Sequence, residues 1–207
     1  MLKQQRLDAL SDGIFAIVMT LLVIEIRVPE IHHIVTNKEL SEAVFELTPL
    51  FLSYILSFFV LSTFWRAHLY MVSYITKSID NHVLNINILF FMLIGLIPFS
   101  SHLLGSYPNS QFAIIWYGVN ISLISLTLYG LRTYLKLTKR FDPEKFYTKD
   151  RKYSRIRLLM PLIATLLVIP ISFWNTNFAI FIYTFVVVFN FFPGGIYFIE
   201  NILGLKK

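Results

Sequence analysis

Apolar residues run through this chain in six long stretches divided by short polar ones: Leu7–Val28, Thr48–Tyr70, His82–Leu104, Gln111–Leu135, Arg157–Trp174 and Asn177–Ile199. Each is near the roughly 20 residues that an α-helix needs to cross about 30 Å of hydrocarbon. The pattern predicts an all-α, polytopic membrane protein: a single transmembrane domain over 1–207, with six transmembrane helices per chain. Pro49 sits where a helix start tolerates a missing N–H, and Pro98, Pro161 and Pro170 predict kinks inside spans, which neighbouring helices can support in a bilayer. Asn175–Thr176 predicts a tight turn between the last two spans, and Pro193-Gly194-Gly195 predicts weakened final turns. Between the first two spans, Thr36-Asn37-Lys38-Glu39 predicts a short helix with Asn37 as its cap.

Composition narrows the class. Of 207 residues, 56% are apolar and 14% charged, and the mean hydropathy is +0.66. Soluble domains carry about a quarter charged residues, so a soluble enzyme, a disordered chain and a nucleic-acid module are excluded. There is no cysteine, which removes disulfides, zinc-thiolate sites and cysteine nucleophiles. Lys3 and Arg6 precede an apolar stretch, as in a signal peptide. The stretch is too long and carries polar residues as far as Asp12, with no small-residue cleavage site before Pro29. A retained first helix is expected.

The net charge of +6 is distributed unevenly. Six spans put both termini on one side, and 16 of the 18 Lys and Arg residues fall there, ten of them between Arg132 and Arg157. Arg27 and Lys38 alone fall on the other side. The positive-inside rule then places both termini in the cytoplasm. The basic 132–157 loop is a topology signal and an expected contact for anionic membrane lipid, with no nucleic-acid partner implied. Glu25, Glu30, Glu39, Glu42 and Glu46 make the opposite face acidic, either as a solvated short helix or as a vestibule that concentrates cations.

Catalytic motifs are absent: no H-E-x-x-H, G-x-S-x-G, phosphate-cradling Gly-Lys-Ser/Thr loop or G-x-G-x-x-G occurs. No enzyme and no cofactor is expected. His32-His33 lack a third ligand, and such pairs are ordinarily surface residues, so no metal site is assigned. The T-V-G-Y-G carbonyl filter of ordinary potassium channels is also missing. Any ion selectivity must come from side chains.

Polar residues inside apolar spans are costly and point to function or to helix association. At about 100° per residue, Leu10, Gly13, Ile17, Thr20, Leu21 and Ile24 share an arc of roughly 100° on the first helix, while Asp8 and Asp12 fall opposite. If the apolar ladder faces a shared axis, Ser11 and Asp12 must turn into the bundle and find donors there. Trp65 and His68, three apart on the second span, and Asn85 and Asn87 on the third lie at the same depth. The plain reading of that group is interhelical polar glue, and the plain reading of the ladder is a face packed on lipid or on a neighbour.

Arg6-Leu7-Asp8-Ala9-Leu10-Ser11-Asp12 resembles the R-x-x-x-F-S-D signature of the transmembrane protein 175 family, whose members are potassium channels of lysosomes and prokaryotic membranes. The likeness continues through Gly13–Ile17 and Thr20–Leu22 to Glu25, then to Trp65-x-x-His68, Asn87 and Pro98-Phe99. Leu10 stands where the family has Phe, which an apolar packing role tolerates and a ring-specific contact does not. Six spans in one repeat resemble the prokaryotic form, which implies a cell-membrane protein. The resemblance implies a homotetramer whose four first helices line the pore, without a pore loop. It also implies a constriction at Ile17, further apolar layers at Leu21 and Ile24, and a polar layer at Thr20. Arg6, Ser11, Asp12, Trp65, His68 and Asn87 are then expected to tether the first helix, and potassium is the expected permeant ion. A secondary transporter or another ion-conducting membrane protein is the alternative, and the prolines inside spans leave room for it.

Overall fold

The computed structural model describes residues 4–30, 36–142 and 155–191. His32-His33, Pro193-Gly194-Gly195, Lys3, the middle of the basic loop, and Lys206-Lys207 lie outside the described residues. Eight α-helices follow in order: α1 (Gln4–Ile24), α2 (Asn37–Glu46), α3 (Thr48–Leu69), α4 (Asn81–Gly95), α5 (Ile97–Ser106), α6 (Gln111–Leu137), α7 (Arg155–Ser172) and α8 (Thr176–Phe191). One π-helical turn, Tyr70–Ile75, prolongs α3. Among the described residues the fold is all-helical, with one isolated bridge between Thr76 and Phe141. Four segments are long and apolar enough to cross a membrane: Gln4–Ile24, Thr48–Ser73, Asn81–Ser106 and Gln111–Leu137. The apolar parts of α7 and α8, Leu158–Ser172 and Phe178–Phe189, are shorter.

Three local expectations change. The third span is two helices: α4 stops at Gly95, Leu96 folds back to bond the Leu93 carbonyl at 3.2 Å, and α5 begins at Ile97. Pro98 sits in the first turn of α5, where its missing N–H costs nothing, so the proline starts a helix and does not kink one. The cap of α2 is Thr36, one residue before Asn37. Its hydroxyl accepts from the Glu39 amide and Glu39 reaches back to the Thr36 amide, a complete capping box. Those bonds from Thr36, the backbone one first, hold the Glu39 carboxyl below the usual glutamate range. The first span begins at Gln4 and ends at Ile24, four residues short of Val28.

α3, α4, α5 and α6 form the middle of the bundle, with α1 against α3, α4 and α5, and α7 against α6 and α8. Leu61, Val72, Val83, Ile94, Ile97, Ile121, Ile124 and Leu128 are wholly buried between them. Since lipid is as apolar as leucine, close backbone approach and polar bonds hold such helices together. At Gly105 an added Cβ would lie 2.9 Å from the Leu50 Cα, so α5 and α3 nearly touch. Ser101 Oγ donates to the Ser53 carbonyl at 3.0 Å in the same crossing. Gly118 packs on Thr165, whose hydroxyl lies 2.9 Å from that of Tyr183 and joins α6, α7 and α8. Tyr117 reaches Ser57 of α3 at 2.9 Å.

At the other end, Asp80 caps α4 by accepting from the Val83 amide at 2.9 Å, and it also accepts from the Tyr134 hydroxyl at 2.6 Å. Arg140 Nε lies 3.2 Å from the same carboxylate. Lys139 adopts φ 53° to turn the chain there. The Tyr134 hydroxyl, then the Val83 amide and the Arg140 charge, hold the Asp80 carboxyl below the usual aspartate range.

Two outcomes are expected from this packing. Gly105→Ala forces its methyl onto the α3 backbone and should lower stability by about 1–3 kcal/mol, read as denaturant or thermal unfolding in detergent; an unchanged midpoint would refute the contact. Because the Asp80 carboxyl is held low, its stabilisation is present above the ordinary aspartate range and lost as pH falls through and below it. Asp80→Asn should therefore be less stable than the parent above about pH 5, with the gap closing below about pH 4. A gap independent of pH would show that the charge contributes nothing.

Candidate functional site: the first helix and its polar anchor

The register of α1 decides which residues it buries. Leu7, Ser11, Phe15, Val18 and Leu22, spaced four, four, three and four apart, are all buried, the spacing of one helical face. The other side is open: Ile17 is 60% exposed, Leu21 41% and Ile24 65%. Gly13, Ala16 and Thr20 are exposed with them, and no neighbour lies within 4 Å of a Cβ built on Gly13. The Thr20 hydroxyl donates into its own helix, at 2.8 Å from the Ile17 carbonyl and 3.1 Å from that of Ala16. Its oxygen keeps acceptor capacity.

The buried side is pinned at its N-terminal half. Ser11 Oγ lies 3.0 Å from His68 Nδ1, and His68 Nε2 lies 2.5 Å from Asn87 Oδ1. Asn87 Nδ2 donates to the Val83 carbonyl at 2.7 Å, which orients the amide. Asn87 Oδ1 therefore accepts, His68 carries its proton on Nε2, and Nδ1 accepts from the Ser11 hydroxyl. A single chain of donors joins α1, α3 and α4. His68 is 2% exposed and Asn87 0%. Phe90 stacks on the imidazole at 5.0 Å and 4°, and Phe91 tilts against it at 5.4 Å. Phe15 of α1 meets Phe90 at 6.0 Å. The ring is walled by aromatics on the sides its hydrogen bonds leave free.

Further bonds flank this one. Trp65 Nε1 donates to Asp12 Oδ1 at 3.0 Å, Ser73 Oγ donates to Asp8 Oδ1 at 2.7 Å, and Gln4 Nε2 donates to the Val72 carbonyl at 2.6 Å. Gln4, Asp8, Ser11 and Asp12 thus form a polar stripe along α1. The last two bonds use the π-helical turn, whose wider winding shifts side chains and carbonyls out of α-helical register. Periodicity did not single out Gln4 and Ser73, because neither looks unusual in a polar helix end and the π-turn leaves no mark in the sequence.

The expected tether is therefore only partly assembled within one protomer. Ser11, His68 and Asn87 meet, and Trp65 meets Asp12. Asp12 stays exposed at the edge of the contact, so it is not sunk into the bundle. Arg6 is exposed on the open face with Ile17 and Ile24, and among the described residues its guanidinium is given no partner. Asn85 is also exposed, one residue out of phase with the face that buries Asn87. Among the described residues no group of three His, Cys, Asp or Glu residues is placed to hold a metal.

Residues 6–98, which hold α1, the anchor and the α4–α5 break, match the model of the family described as endosomal/lysosomal potassium channel TMEM175. The chain belongs to this family. A potassium channel of Chamaesiphon minutus is 37% identical over 102 residues, which is 49% of this chain and 49% of the relative. The match thus spans about half the length of that relative. A potassium channel of a Chryseobacterium species is 25% identical over 188 residues, 91% of this chain and 92% of its own. The crystal structure of a lysosomal potassium-selective channel TMEM175 homolog from Chamaesiphon minutus superposes with a TM-score of 0.76. It covers 92% of this chain and 97% of that one at 24% identity, which establishes a common fold. The family's match is confined to the first half, where the anchor lies.

Removing the centre of the anchor should hurt more than removing its end. His68→Ala strands both the Ser11 hydroxyl and the Asn87 amide oxygen in apolar surroundings and should cost about 1–3 kcal/mol. Ser11→Ala removes one donor and should cost about 1 kcal/mol. Unfolding of both variants in detergent checks the order, and equal midpoints would show that the chain of donors does not run through His68.

Proposed function

We propose that this chain is an integral membrane subunit of a potassium channel, with four copies surrounding an axis lined by α1. The observation that carries the reading is the division of α1. One face is held by Leu7, Ser11, Phe15, Val18 and Leu22, and the opposite face offers Ile17, Leu21 and Ile24 to nothing in the protomer. The bacterial relatives named as potassium channels support it, as does the common fold.

In this reading Ile17, Leu21 and Ile24 form rings around a narrow neck. An apolar neck empties of water when narrow, and so gates by dewetting. When it is wet, a passing cation sheds part of its hydration shell and receives few ligands in return. Potassium holds its shell less tightly than sodium, so it passes at lower cost. The Thr20 oxygens supply a polar layer between the rings. Selectivity is accordingly moderate and rests on neck diameter. The anchor of Ser11, Asp12, Trp65, His68 and Asn87 sets that diameter by fixing the rotation and radial position of α1. Arg6, on the open side, meets a neighbouring copy and not its own bundle. The excess of Lys and Arg on the side of the termini places both in the cytoplasm. Anionic lipid contacts the 132–157 segment there, and the whole chain acts as one transmembrane domain without a cofactor.

Purified protein in liposomes should carry potassium current that reverses at the potassium equilibrium potential, with no sodium or proton gradient required. Ile17→Asn places a wettable side chain in the neck and should raise sodium permeation relative to potassium several-fold. Saturable uptake that needs a second ion gradient would replace the channel by a transporter. Unchanged selectivity and conduction in Ile17→Asn would remove Ile17 from the neck.

A further inference from the structure

The opposite end of α1 carries a contact that the anchor does not include. Glu25 follows directly after Ile24, and its Oε2 lies 3.7 Å from Nδ1 of His102 on α5. His102 Nε2 is 3.4 Å from the hydroxyl of Ser106, one turn along the same helix. Both Glu25 and His102 side chains are 40% exposed, yet the Nδ1 atom itself is shielded from solvent and has no hydrogen-bond partner. A nitrogen shut away from water and aimed at a carboxylate is unsatisfied as a lone pair and well placed as an N–H donor.

From this geometry we infer that Glu25 and His102 form a proton-binding site that clasps the end of α1 to α5. In the neutral ring the Nδ1 lone pair faces a carboxylate oxygen, and the two groups stand beyond hydrogen-bond distance. Uptake of one proton at Nδ1 gives an imidazolium, which donates to the Glu25 carboxylate in a charge-assisted bond. Carboxylates are ordinarily charged and imidazole changes its charge between pH 5 and 8, so the clasp closes as pH falls and opens as it rises.

The surroundings present no competing charge. Toward this part of α5, α3 turns Leu50 and Ser53, which pack on Gly105, and its titratable neighbour Tyr54 has its ring beside Phe58. From α6 come Asn120, bonded to Ser100, and Tyr117, bonded to Ser57. The α4 stretch Leu84–Gly95 holds no titratable residue, and on α1 the other charge nearby is Arg27, two residues beyond Glu25 and exposed. Among the described residues, Glu25 is the acid given within ion-pair distance of His102.

The consequence for conduction rests on the proposal that α1 lines the pore. Glu25 lies on the buried side of α1, about 100° round from Ile24. Closing the clasp draws the end of the helix toward α5 and away from the open face, which holds the Ile24 ring wide. Potassium current therefore rises as pH falls on the side where α1 ends.

Two readouts test this independently. In lipid nanodiscs, the imidazole nitrogen-15 signals of His102 should titrate with a midpoint that drops by roughly half a pH unit in Glu25→Gln. In liposomes, wild-type current should be several-fold larger at pH 5.5 than at pH 8 on that side. Glu25→Gln and His102→Gln should each flatten the profile, and the double variant should flatten it no further. An unmoved midpoint together with unaltered profiles overturns the clasp while leaving the channel intact. Absence of potassium current at every pH overturns the channel reading instead, and the His102 midpoint then decides the clasp by itself.

Discussion

A buried imidazole has two nitrogens to satisfy, and in an apolar bundle it can do so only through groups brought by other helices. His68 takes Ser11 from α1 and Asn87 from α4, and the polarity of the chain follows from the orientation of the Asn87 amide. Breaking it leaves polar atoms without water to replace the lost partner. That asymmetry makes the anchor a constraint on geometry more than a source of net stability, because interhelical bonds in membranes contribute modestly on balance. It fixes how far α1 sits from α3 and α4 and which way it is turned.

Once α1 is turned that way, its two faces have different fates. The residues spaced with Ser11 are covered by the bundle, and those spaced with Ile17 are left uncovered. A stripe of branched side chains on an uncovered helix has no need of water or lipid in particular. Repeated around an axis, it becomes a surface whose wetting depends steeply on radius, and small shifts of the helix then have large effects on ion passage. The polar anchor at one end of α1 and the Glu25–His102 contact at the other both act on that radius. They differ in chemistry: the anchor is sealed from solvent, whereas the Glu25–His102 pair is half open to it.

The remaining helices supply the frame that makes such control possible. Glycines at 105 and 118 let α5 approach α3 and α6 approach α7 almost backbone to backbone. Tyr117, Thr165 and Tyr183 join the rear helices by hydroxyl contacts. The division of the third span into α4 and α5 lets one segment present Asn87 to the anchor and the other present His102 to Glu25, at opposite ends of α1. Asp80, Tyr134 and Arg140 hold the start of α4 against the end of α6.

Much of this was legible in the residues. Long apolar runs dictate membrane helices because the bilayer sets their length, and the helical period alone separates Ile17, Thr20, Leu21 and Ile24 from Ser11 on α1. The R-x-x-x-x-S-D pattern with Trp65, His68 and Asn87 pointed to the polar cluster because unpaired polar groups in hydrocarbon need each other. What the period could not say is which of several polar residues become partners. Asn85 and Asn87 look alike in sequence, yet a two-residue step turns one away from the bundle, and Arg6 shares a motif with Ser11 while facing the opposite side. The break at Leu96, the π-turn that brings Ser73 and Val72 to α1, and the meeting of Glu25 with His102 depend on how separate helices cross. Local sequence sets the face of each helix, and only packing in three dimensions sets what that face meets.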